Sequence, residues 1–327
     1  MYKKLFFISL FSLIFFSCEY SHETPDFNVR KYNLRILPYD SLHLVSRNVI
    51  PLSETYPCDA EGVPLFLNPQ DGKYYYHPVL IAIKGMQYLN SYYITGDIRY
   101  VLKVKTWVRK LLEIAYKIDN SYFFPYQFTI RPHGTNTDTL FAPWFSGMAQ
   151  GQVLELVVRL FNFTQDSSYL IIAEKIFNSI KNTSKNNYPW VSFVDADGYL
   201  WIEEYPLDGG PDYVLNGFIH AVQGVYEYWL LTRNKEVELY LNGCLTTLED
   251  KLHLFRNPGG PSFYCLRHHH IDPLYHKHHI YLIQYLYKMT GNNFFKNFAD
   301  TLAADYDEQG SIQDINISSG QTVFGIN

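Results

Sequence analysis

A tyrosine–arginine–tyrosine pattern near the C-terminus has the residue types needed to remove a proton from a carbon beside a carboxylate. It lies in SFYCLRHHHIDPLYHKHHIYLIQYLY, where Tyr264 and Arg267 are three residues apart and Tyr275 follows. A guanidinium can bind a carboxylate and stabilise the enolate-like charge that develops as the adjacent C–H bond breaks. It can also lower the pKa of a neighbouring tyrosine from its ordinary value of about 10. A single tyrosine is more typical of a core or rim aromatic, so the prediction rests on the combination.

The same stretch is rich in histidine, which raises the alternative of a metal site. Metal-binding helices usually place histidines at positions i and i+4, often with a carboxylate nearby. No pair in the stretch has that spacing on one predicted helix, and Asp272 is its only carboxylate. We therefore expect no metal and no organic cofactor. The histidines considered are His268, His269, His270, His276, His278 and His279.

Two other segments carry residues suited to a sugar-binding cleft. In WIEEYP, the adjacent Glu203 and Glu204 point to opposite faces of a strand, so at most one of them lines a given cleft. Such a carboxyl group is suited to acid–base work, and a solvent-exposed hairpin edge is the alternative. In PWFSGMAQGQ, Trp144 suggests an aromatic platform for a sugar and Gln150 an amide that points into the cleft. Close helix packing is the alternative for this segment.

A repeated helical joint predicts the elements that must position these residues. YYITGDIRYV, FNFTQDSSYL, YWLLTRNKEV and YKMTGNNFFK each place Asp or Asn two residues after Thr, as expected for the N-cap of a second helix. The joints lie 69, 68 and 58 residues apart, and apolar residues recur at helical spacing on both sides of the first joint. We therefore expect a dominantly α-helical α/α toroid of about four helix hairpins, with a cleft at one end.

Short β-hairpins are predicted in the longer connections. Asp197-Gly198 lies between two alternating runs in Trp190–Tyr205, which is a hairpin signal. Ser121–Trp144 resembles a second hairpin, with HGTNTD between FFPYQFTI and LFAPW. No linker after about residue 60 is rich enough in polar residues to separate two domains. We therefore assign 61–327 to one catalytic domain and 19–60 to a tether and extended lead-in.

Composition indicates a globular protein and is compatible with carbohydrate binding. Hydrophobic residues make up 47% of the 327 residues, and 29 tyrosines offer rings that can stack on sugars. Codon bias is an equally simple explanation of the tyrosine content. The net charge of −5 gives no general attraction to polyanions, so we expect no nucleic-acid partner.

The N-terminus has the pattern of a targeting segment. Lys3 and Lys4 precede an apolar run from Leu5 to Phe16, which is too short to span a bilayer. Ser17-Cys18 then resembles a bacterial lipoprotein processing site, so we expect 1–18 to be the signal and Cys18 to carry the lipid. Uncleaved anchoring and ordinary secretion are the alternatives. The expected location is the periplasm or the cell surface, attached to the membrane by the lipid.

Five motifs in one order resemble one known family. PWFSGMAQGQ, WIEEYP, YVLNGFIHAVQGVYEYW, FYCLRH and YHKHHI together look like the C-terminal catalytic domain of D-glucuronyl C5-epimerases, over roughly 75–305. These enzymes convert glucuronate to iduronate within heparan-type chains and have an α/α toroid. Cys265 departs from the family pattern, which tends to have Asp there.

The resemblance implies a role for each residue that matches a motif. Glu204 and Tyr275 would be the opposed acid–base pair, Tyr205 and Tyr264 would stabilise charge or relay protons, and Arg267 would hold the carboxylate. Trp144, Gln150, Asn216, His268 and His276 would contact the substrate.

The expected function is therefore epimerisation at C5 of uronate residues in a heparosan-like polysaccharide. A polysaccharide lyase and a non-catalytic glycan-binding lipoprotein are the alternatives. The expected partners are the polysaccharide and the membrane, to which the N-terminal lipid would attach the chain. A homodimer is the oligomeric state considered besides a monomer.

Overall fold

A computed structural model describes residues 26–46, 48–53, 56–132, 138–183, 188–207 and 209–306. Within these ranges the chain forms eight α-helices, which pair into four consecutive hairpins as predicted. The helices are α1 (Pro78–Thr95), α2 (Ile98–Ile114), α3 (Gly147–Thr164), α4 (Ser167–Lys181), α5 (Leu215–Thr232), α6 (Lys235–Lys251), α7 (Pro273–Thr290) and α8 (Asn293–Asp305).

The four joints form as the sequence predicts, and each uses the same capping chemistry. The first helix of every hairpin ends at the threonine, and the residue after it is left-handed. The Asp or Asn that follows accepts a hydrogen bond from the backbone N–H two residues later and so caps the second helix. Two of the left-handed residues are Gly96 and Gly291, while Gln165 and Arg233 adopt the same conformation with a side chain.

The odd-numbered helices form an inner layer in the order α1–α3–α5–α7, and each even-numbered helix packs on its hairpin partner outside. The closest approach is between α3 and α5, where Gly151 faces Gly224. A Cβ added to Gly224 would lie 2.0 Å from the carbonyl oxygen of Gly151, and one added to Gly151 would lie 2.3 Å from Cα of Ala221. Neither position has room for a side chain, since backbone atoms occupy the space.

Gly224→Ala is therefore expected to destabilise the protein, although alanine normally favours a helix by about 0.5–1 kcal/mol over glycine. The two backbones would have to separate, and overpacking of this kind costs about 1–3 kcal/mol. Gly85→Ala is the matched control, because its new methyl group meets only the side chain of Leu156. Urea denaturation should show a clearly larger loss for Gly224→Ala than for Gly85→Ala. Equal losses would contradict the close approach of α3 and α5.

In the described ranges, two antiparallel strand pairs lie in connections between helices and a third lies before α1. The predicted hairpin around Gly198 forms, with Gly198 at φ +84°. In the described part of the second predicted hairpin, single antiparallel bridges join Tyr126 to Trp144 and Ile130 to Leu140, while residues 133–137 of its predicted turn lie outside the described residues. The other two strand pairs were not predicted. The strands are β1 (Phe66–Leu67), β2 (Tyr74–Tyr75), β3 (Tyr116–Ile118), β4 (Ser121–Phe123), β5 (Ser192–Val194) and β6 (Leu200–Ile202).

The segment before the first helix runs in extended form across the helices. Its backbone N–H groups donate to Thr246 of α6 from Arg30, to Met289 of α7 from Arg35, and to Ser91 of α1 from Ile50. None of the helices in the described ranges is long and apolar enough to cross a membrane. The predicted signal and Cys18 lie outside the described residues, so lipid attachment stays a prediction.

Candidate active site

Glu204 lies just after β6, where the hairpin meets the N-terminal end of α5. Its side chain is buried and accepts long hydrogen bonds from the amide of Asn216 at 3.5 Å and from the hydroxyl of Tyr264 at 3.4 Å. The carboxylate fits because Gly217 has no side chain, since a Cβ there would lie 2.3 Å from Oε2 of Glu204. The family resemblance marked Glu204 and Asn216, but it did not indicate that Gly217 leaves room in α5 for the carboxylate of Glu204.

The environment of Glu204 gives its carboxyl group the properties of an acid–base catalyst near neutral pH. Burial raises the pKa of Glu204 to about 7, against a smaller lowering by the hydroxyls of Tyr205 and Tyr264 and a further rise from Asp212. A group with this pKa is substantially populated in both protonation states near pH 7. Such a shift in a buried carboxyl group beside specific partners is typical of functional sites.

Three tyrosines gather beside Glu204. The hydroxyls of Tyr205 and Tyr264 are 3.4 Å apart, and the rings of Tyr264 and Tyr275 meet edge to face at 4.6 Å between centroids. Tyr264 is held by a backbone bridge between Val214 and Cys265, whereas Tyr275 lies in the first turn of α7. The structure thus brings together four of the residues assigned acid–base roles, although they come from three separate segments.

Tyr205 and Tyr264 are proton donors rather than ready-made bases. Burial, followed by the charge of Glu204, raises the pKa of Tyr264 and of Tyr205 well above the ordinary value near 10. The prediction that a guanidinium lowers the pKa of a site tyrosine is therefore wrong for Tyr264, because low polarity dominates around this phenol. Glu204 is the group in this cluster whose pKa suits a base near pH 7.

An aromatic wall closes one side of the cluster. The indole of Trp144 stacks on Tyr126 with centroids 3.9 Å apart and donates its N–H to the carbonyl oxygen of Phe128 at 2.8 Å. Its ring centroid is 6.1 Å from that of Tyr205. Trp144 is thus placed beside the cluster, but it is only 5% exposed and its N–H is already engaged.

Arg267 and His268 follow Tyr264 on the same loop and contact two aspartates. Arg267 donates to the carbonyl oxygen of Gly210 at 2.9 Å and lies 3.3 Å from a carboxylate oxygen of Asp138. His268 lies between Asp138 and Asp212, with one ring nitrogen 2.7 Å from each carboxylate. Neither aspartate was predicted from the sequence, because both belong to other loops and no motif marks them.

Three residues near the predicted site have internal partners instead. The amide of Gln150 bonds to Phe124, Tyr122 and Ser179. His276 is fully buried between Ser262 and the carbonyl oxygen of Tyr306. Glu203 accepts the backbone N–H groups of Tyr205 and Tyr213. We therefore leave Gln150 and His276 out of the substrate contacts proposed below.

Parts of the chain are similar to known proteins in sequence. A family model described as D-glucuronyl C5-epimerase C-terminus matches residues 118–303. A D-glucuronyl C5-epimerase of Caenorhabditis elegans is 29% identical over 177 residues, which cover 48% of this chain and 28% of the nematode protein. An uncharacterised protein of Methanocaldococcus jannaschii is 26% identical over 157 residues, which cover 47% of this chain and 50% of that protein. The chain thus covers half or less of each relative.

A solved structure with the same helical architecture is cellobiose 2-epimerase from Bacillus thermoamylovorans. The TM-score is 0.51 at 12% identity, over 75% of this chain and 65% of that one. At this identity the likeness shows the fold alone, and it agrees with an α/α toroid. The match of the family model covers more than half of the chain and includes Glu204, Tyr205, Tyr264, Arg267 and Tyr275. The chain belongs to the D-glucuronyl C5-epimerase C-terminus family, a family named for a carbohydrate epimerase.

Proposed function

We propose that the protein epimerises D-glucuronate residues to L-iduronate at C5 within a heparosan-like, uronic-acid-containing polysaccharide. The observation that carries the proposal is the contact series from buried Glu204 to Tyr264 and on to Tyr275. It combines a carboxyl group with a pKa of about 7 and two phenols, which is the equipment for proton removal and return. The family match supports the same reaction.

The first step breaks the C5–H bond of the bound uronate. Ionised Glu204 takes the proton, and the electron pair of that bond moves toward the C6 carboxylate to give an enolate-like intermediate. Arg267 stabilises the extra charge on the carboxylate oxygens as it develops. Its guanidinium side chain is 30% exposed, although Asp138 holds part of it. No cofactor is required, because the carboxylate itself accepts the electron density.

The second step returns a proton to the other face of C5. Tyr275 gives its phenolic proton to C5, which leaves a phenolate on Tyr275 and a protonated Glu204. Tyr264 lies between these two groups and can reset them by passing a proton from Glu204 toward Tyr275. The hydroxyl of Tyr205 shares a hydrogen bond with that of Tyr264, in which either group can donate, so Tyr205 can take part in this proton relay. The reverse reaction uses the same groups in the opposite order.

Incubation with heparosan in deuterated water tests the reaction. Epimerisation predicts deuterium at C5 and iduronate in the polymer, with no unsaturated chain ends. Unsaturated ends that absorb in the ultraviolet would instead show a lyase, which begins with the same proton removal and then expels the 4-substituent. Binding of the polymer with neither deuterium nor unsaturated ends would show a non-catalytic glycan-binding protein.

Arg267→Lys is expected to lower kcat/KM by about 10- to 100-fold, because an ammonium group cannot grip a carboxylate with two parallel hydrogen bonds. The measurement is the rate of deuterium incorporation at several heparosan concentrations. Arg99→Lys is the matched control, since Arg99 is exposed and pairs with Asp97 at the first helical joint. Wild-type turnover in Arg267→Lys would exclude Arg267 as the carboxylate-binding residue.

Tyr275→Phe is expected to lower turnover by about 10²-fold, at the lower end for loss of an acid–base group, because the phenol ring of Tyr264 packs directly against residue 275. The loss should appear in kcat more than in KM, since the phenylalanine ring keeps the contact with Tyr264. Tyr287→Phe, near the opposite end of α7, is the control for hydroxyl removal on the same helix. Unchanged turnover with retained polymer binding would remove Tyr275 from the mechanism.

A further inference from the structure

A compact group of three potential metal ligands includes two residues of the loop that carries Tyr264 and Arg267. It consists of Asp212, Cys265 and His268, whose ligand atoms all lie within 4.8 Å of one another. Nδ1 of His268 is 2.7 Å from a carboxylate oxygen of Asp212 and 3.8 Å from the sulfur of Cys265. Asp212 and Cys265 are fully buried, while the side chain of His268 is 25% exposed.

The backbone holds these three residues in place without help from an ion. The segment around Asp212 pairs with the segment around Cys265 through the bridge from Val214 to Cys265. The N–H groups of Leu266 and Arg267 also donate to the carbonyl oxygens of Tyr213 and Asp212, each at 3.3 Å. Two of the ligands therefore come from opposite sides of one short paired segment, and the third follows three residues after Cys265.

The donor set selects a particular class of ion. A thiolate and an imidazole favour Zn²⁺ and related transition metals over Mg²⁺ or Ca²⁺, which prefer oxygen ligands. A carboxylate completes three protein ligands and leaves a fourth position for water. Nε2 of His268 lies 2.7 Å from Asp138, so this second carboxylate orients the ring as outer partners of zinc-bound histidines do. We propose that Asp212, Cys265 and His268 form a Zn²⁺-type site with Asp138 as the outer partner of His268.

The geometry needs only a small adjustment to accept the ion. Typical Zn²⁺ bond lengths at the tetrahedral angle separate ligand atoms by about 3.4–3.6 Å. The nitrogen–sulfur distance is already close to this value, and the nitrogen–oxygen distance must widen by less than about 1 Å. On binding, the thiol of Cys265 releases its proton to the buffer, so a neutral thiol becomes a metal-bound thiolate. The hydrogen bond from His268 to Asp212 is exchanged for two bonds to the ion.

The proposed site differs from the histidine pattern considered in the sequence. That pattern consists of two histidines one helical turn apart. The proposed site consists of one histidine, one cysteine and an aspartate 53 residues before the cysteine. The ion would connect the two backbone segments directly beside Tyr264 and Arg267 and so stabilise the loop that presents them. The proposal concerns this loop alone and does not depend on the reaction proposed above.

Metal uptake by the whole chain tests the proposal. The protein is stripped with a chelator, dialysed against Zn²⁺ or Co²⁺, washed, and measured for metal content and absorbance. We expect about one ion per chain, a thiolate-to-cobalt charge-transfer band, and a higher thermal midpoint with Zn²⁺ because the ion binds the folded state. Cys265→Ser and His268→Gln should each abolish the band and the thermal shift. Cys58→Ser and His253→Gln, outside the cluster, should keep both.

Either of two results with the wild-type protein or with Cys265→Ser would overturn the site. One is a wild-type protein that retains no Zn²⁺ or Co²⁺ after washing. The other is a Cys265→Ser variant that keeps the same metal content and the same band. If Cys265→Ser or His268→Gln fails to fold by circular dichroism, a variant with Cys18, Cys58 and Cys244 replaced by alanine decides the question, because Cys265 is then the one cysteine left in the sequence and the cobalt band must persist. Loss of the cobalt band in Cys58→Ser would assign the thiolate to Cys58 and reject the site.

Discussion

Replacing Glu204 by glutamine is expected to lower turnover by about 10²- to 10⁴-fold, the usual effect of losing a positioned acid–base group. Glutamine keeps the size of the side chain and can still accept a hydrogen bond from Tyr264, but it cannot take a proton from C5. Deuterium incorporation into heparosan measures the effect. Glu174→Gln, at an exposed position of α4, is the matched control and should leave the rate unchanged.

The same variant separates chemistry from folding, because the pKa of Glu204 also affects stability. Burial raises this pKa from an ordinary value of 4.5 to about 7, so the folded state binds a proton more tightly than the unfolded state. Ionisation of Glu204 therefore destabilises the folded state. This destabilisation is absent below about pH 4.5, develops between pH 4.5 and 7, and is fully present above pH 7, where it is on the order of 3 kcal/mol. Glutamine removes this titration, so at pH 8 Glu204→Gln should melt no lower than the wild type.

The pH dependence of the wild type follows from the same group. In the direction in which Glu204 is the base, kcat/KM should rise about tenfold per pH unit below pH 7 and level off above it. A Glu204→Gln variant that melts normally and retains wild-type turnover would exclude Glu204 as the base. A flat wild-type profile between pH 5 and 8 would contradict the pKa near 7.

The helical frame was predictable because its signals are local. Each joint contains a threonine that ends one helix and an Asp or Asn that caps the next, and both effects act within a few residues. The Asp197-Gly198 hairpin is another local signal, because only the turn conformation at Gly198 has to be specified. The turn between β3 and β4 has no comparable signal. It places Asp119, which is not a glycine, at φ +50°.

The site was predictable only where a family motif marked its residues. Glu204, Tyr205, Tyr264 and Tyr275 lie together, as the resemblance implied, but no spacing in the sequence indicates that Asp138 and Asp212 meet His268. Nor could the sequence indicate the direction of the tyrosine pKa shifts. That direction depends on how deeply Tyr264 is buried, and burial is a property of the packed structure. Gln150 has a motif position suited to the cleft, yet its amide turns toward Tyr122 and Ser179.

A buried charged cluster between α3 and α5 was also not predicted from the sequence. Arg159 is fully buried and donates to Glu227 at 2.6 and 2.9 Å, to the carbonyl oxygen of His43 at 2.5 Å, and to Glu155 one turn away. Glu155 and Arg159 are four residues apart, a spacing that normally suggests a surface pair. The helices around them bury that face completely, so the three ionisable groups depend on one another for compensation.

Arg159→Met is therefore expected to lower the free energy of unfolding by about 3–5 kcal/mol, since it leaves Glu155 and Glu227 buried without their cation. The matched control is Arg109→Met, which removes an exposed arginine from a pair with Glu113 at the same spacing and should cost less than about 1 kcal/mol. Urea denaturation at pH 8 measures both.

The reason for the loss can be tested separately from its size. Burial already raises the pKa of Glu227 to about 8 with Arg159 present, and removal of Arg159 raises it further. At low pH the two carboxyl groups of Arg159→Met can remain buried as neutral acids. The loss of unfolding free energy relative to the wild type should therefore shrink from pH 8 to pH 5.

The triple variant Glu155→Leu, Arg159→Met, Glu227→Leu removes all three ionisable groups together and should recover most of the stability. A triple variant as unstable as Arg159→Met would mean that packing around residue 159, rather than an uncompensated charge, causes the loss.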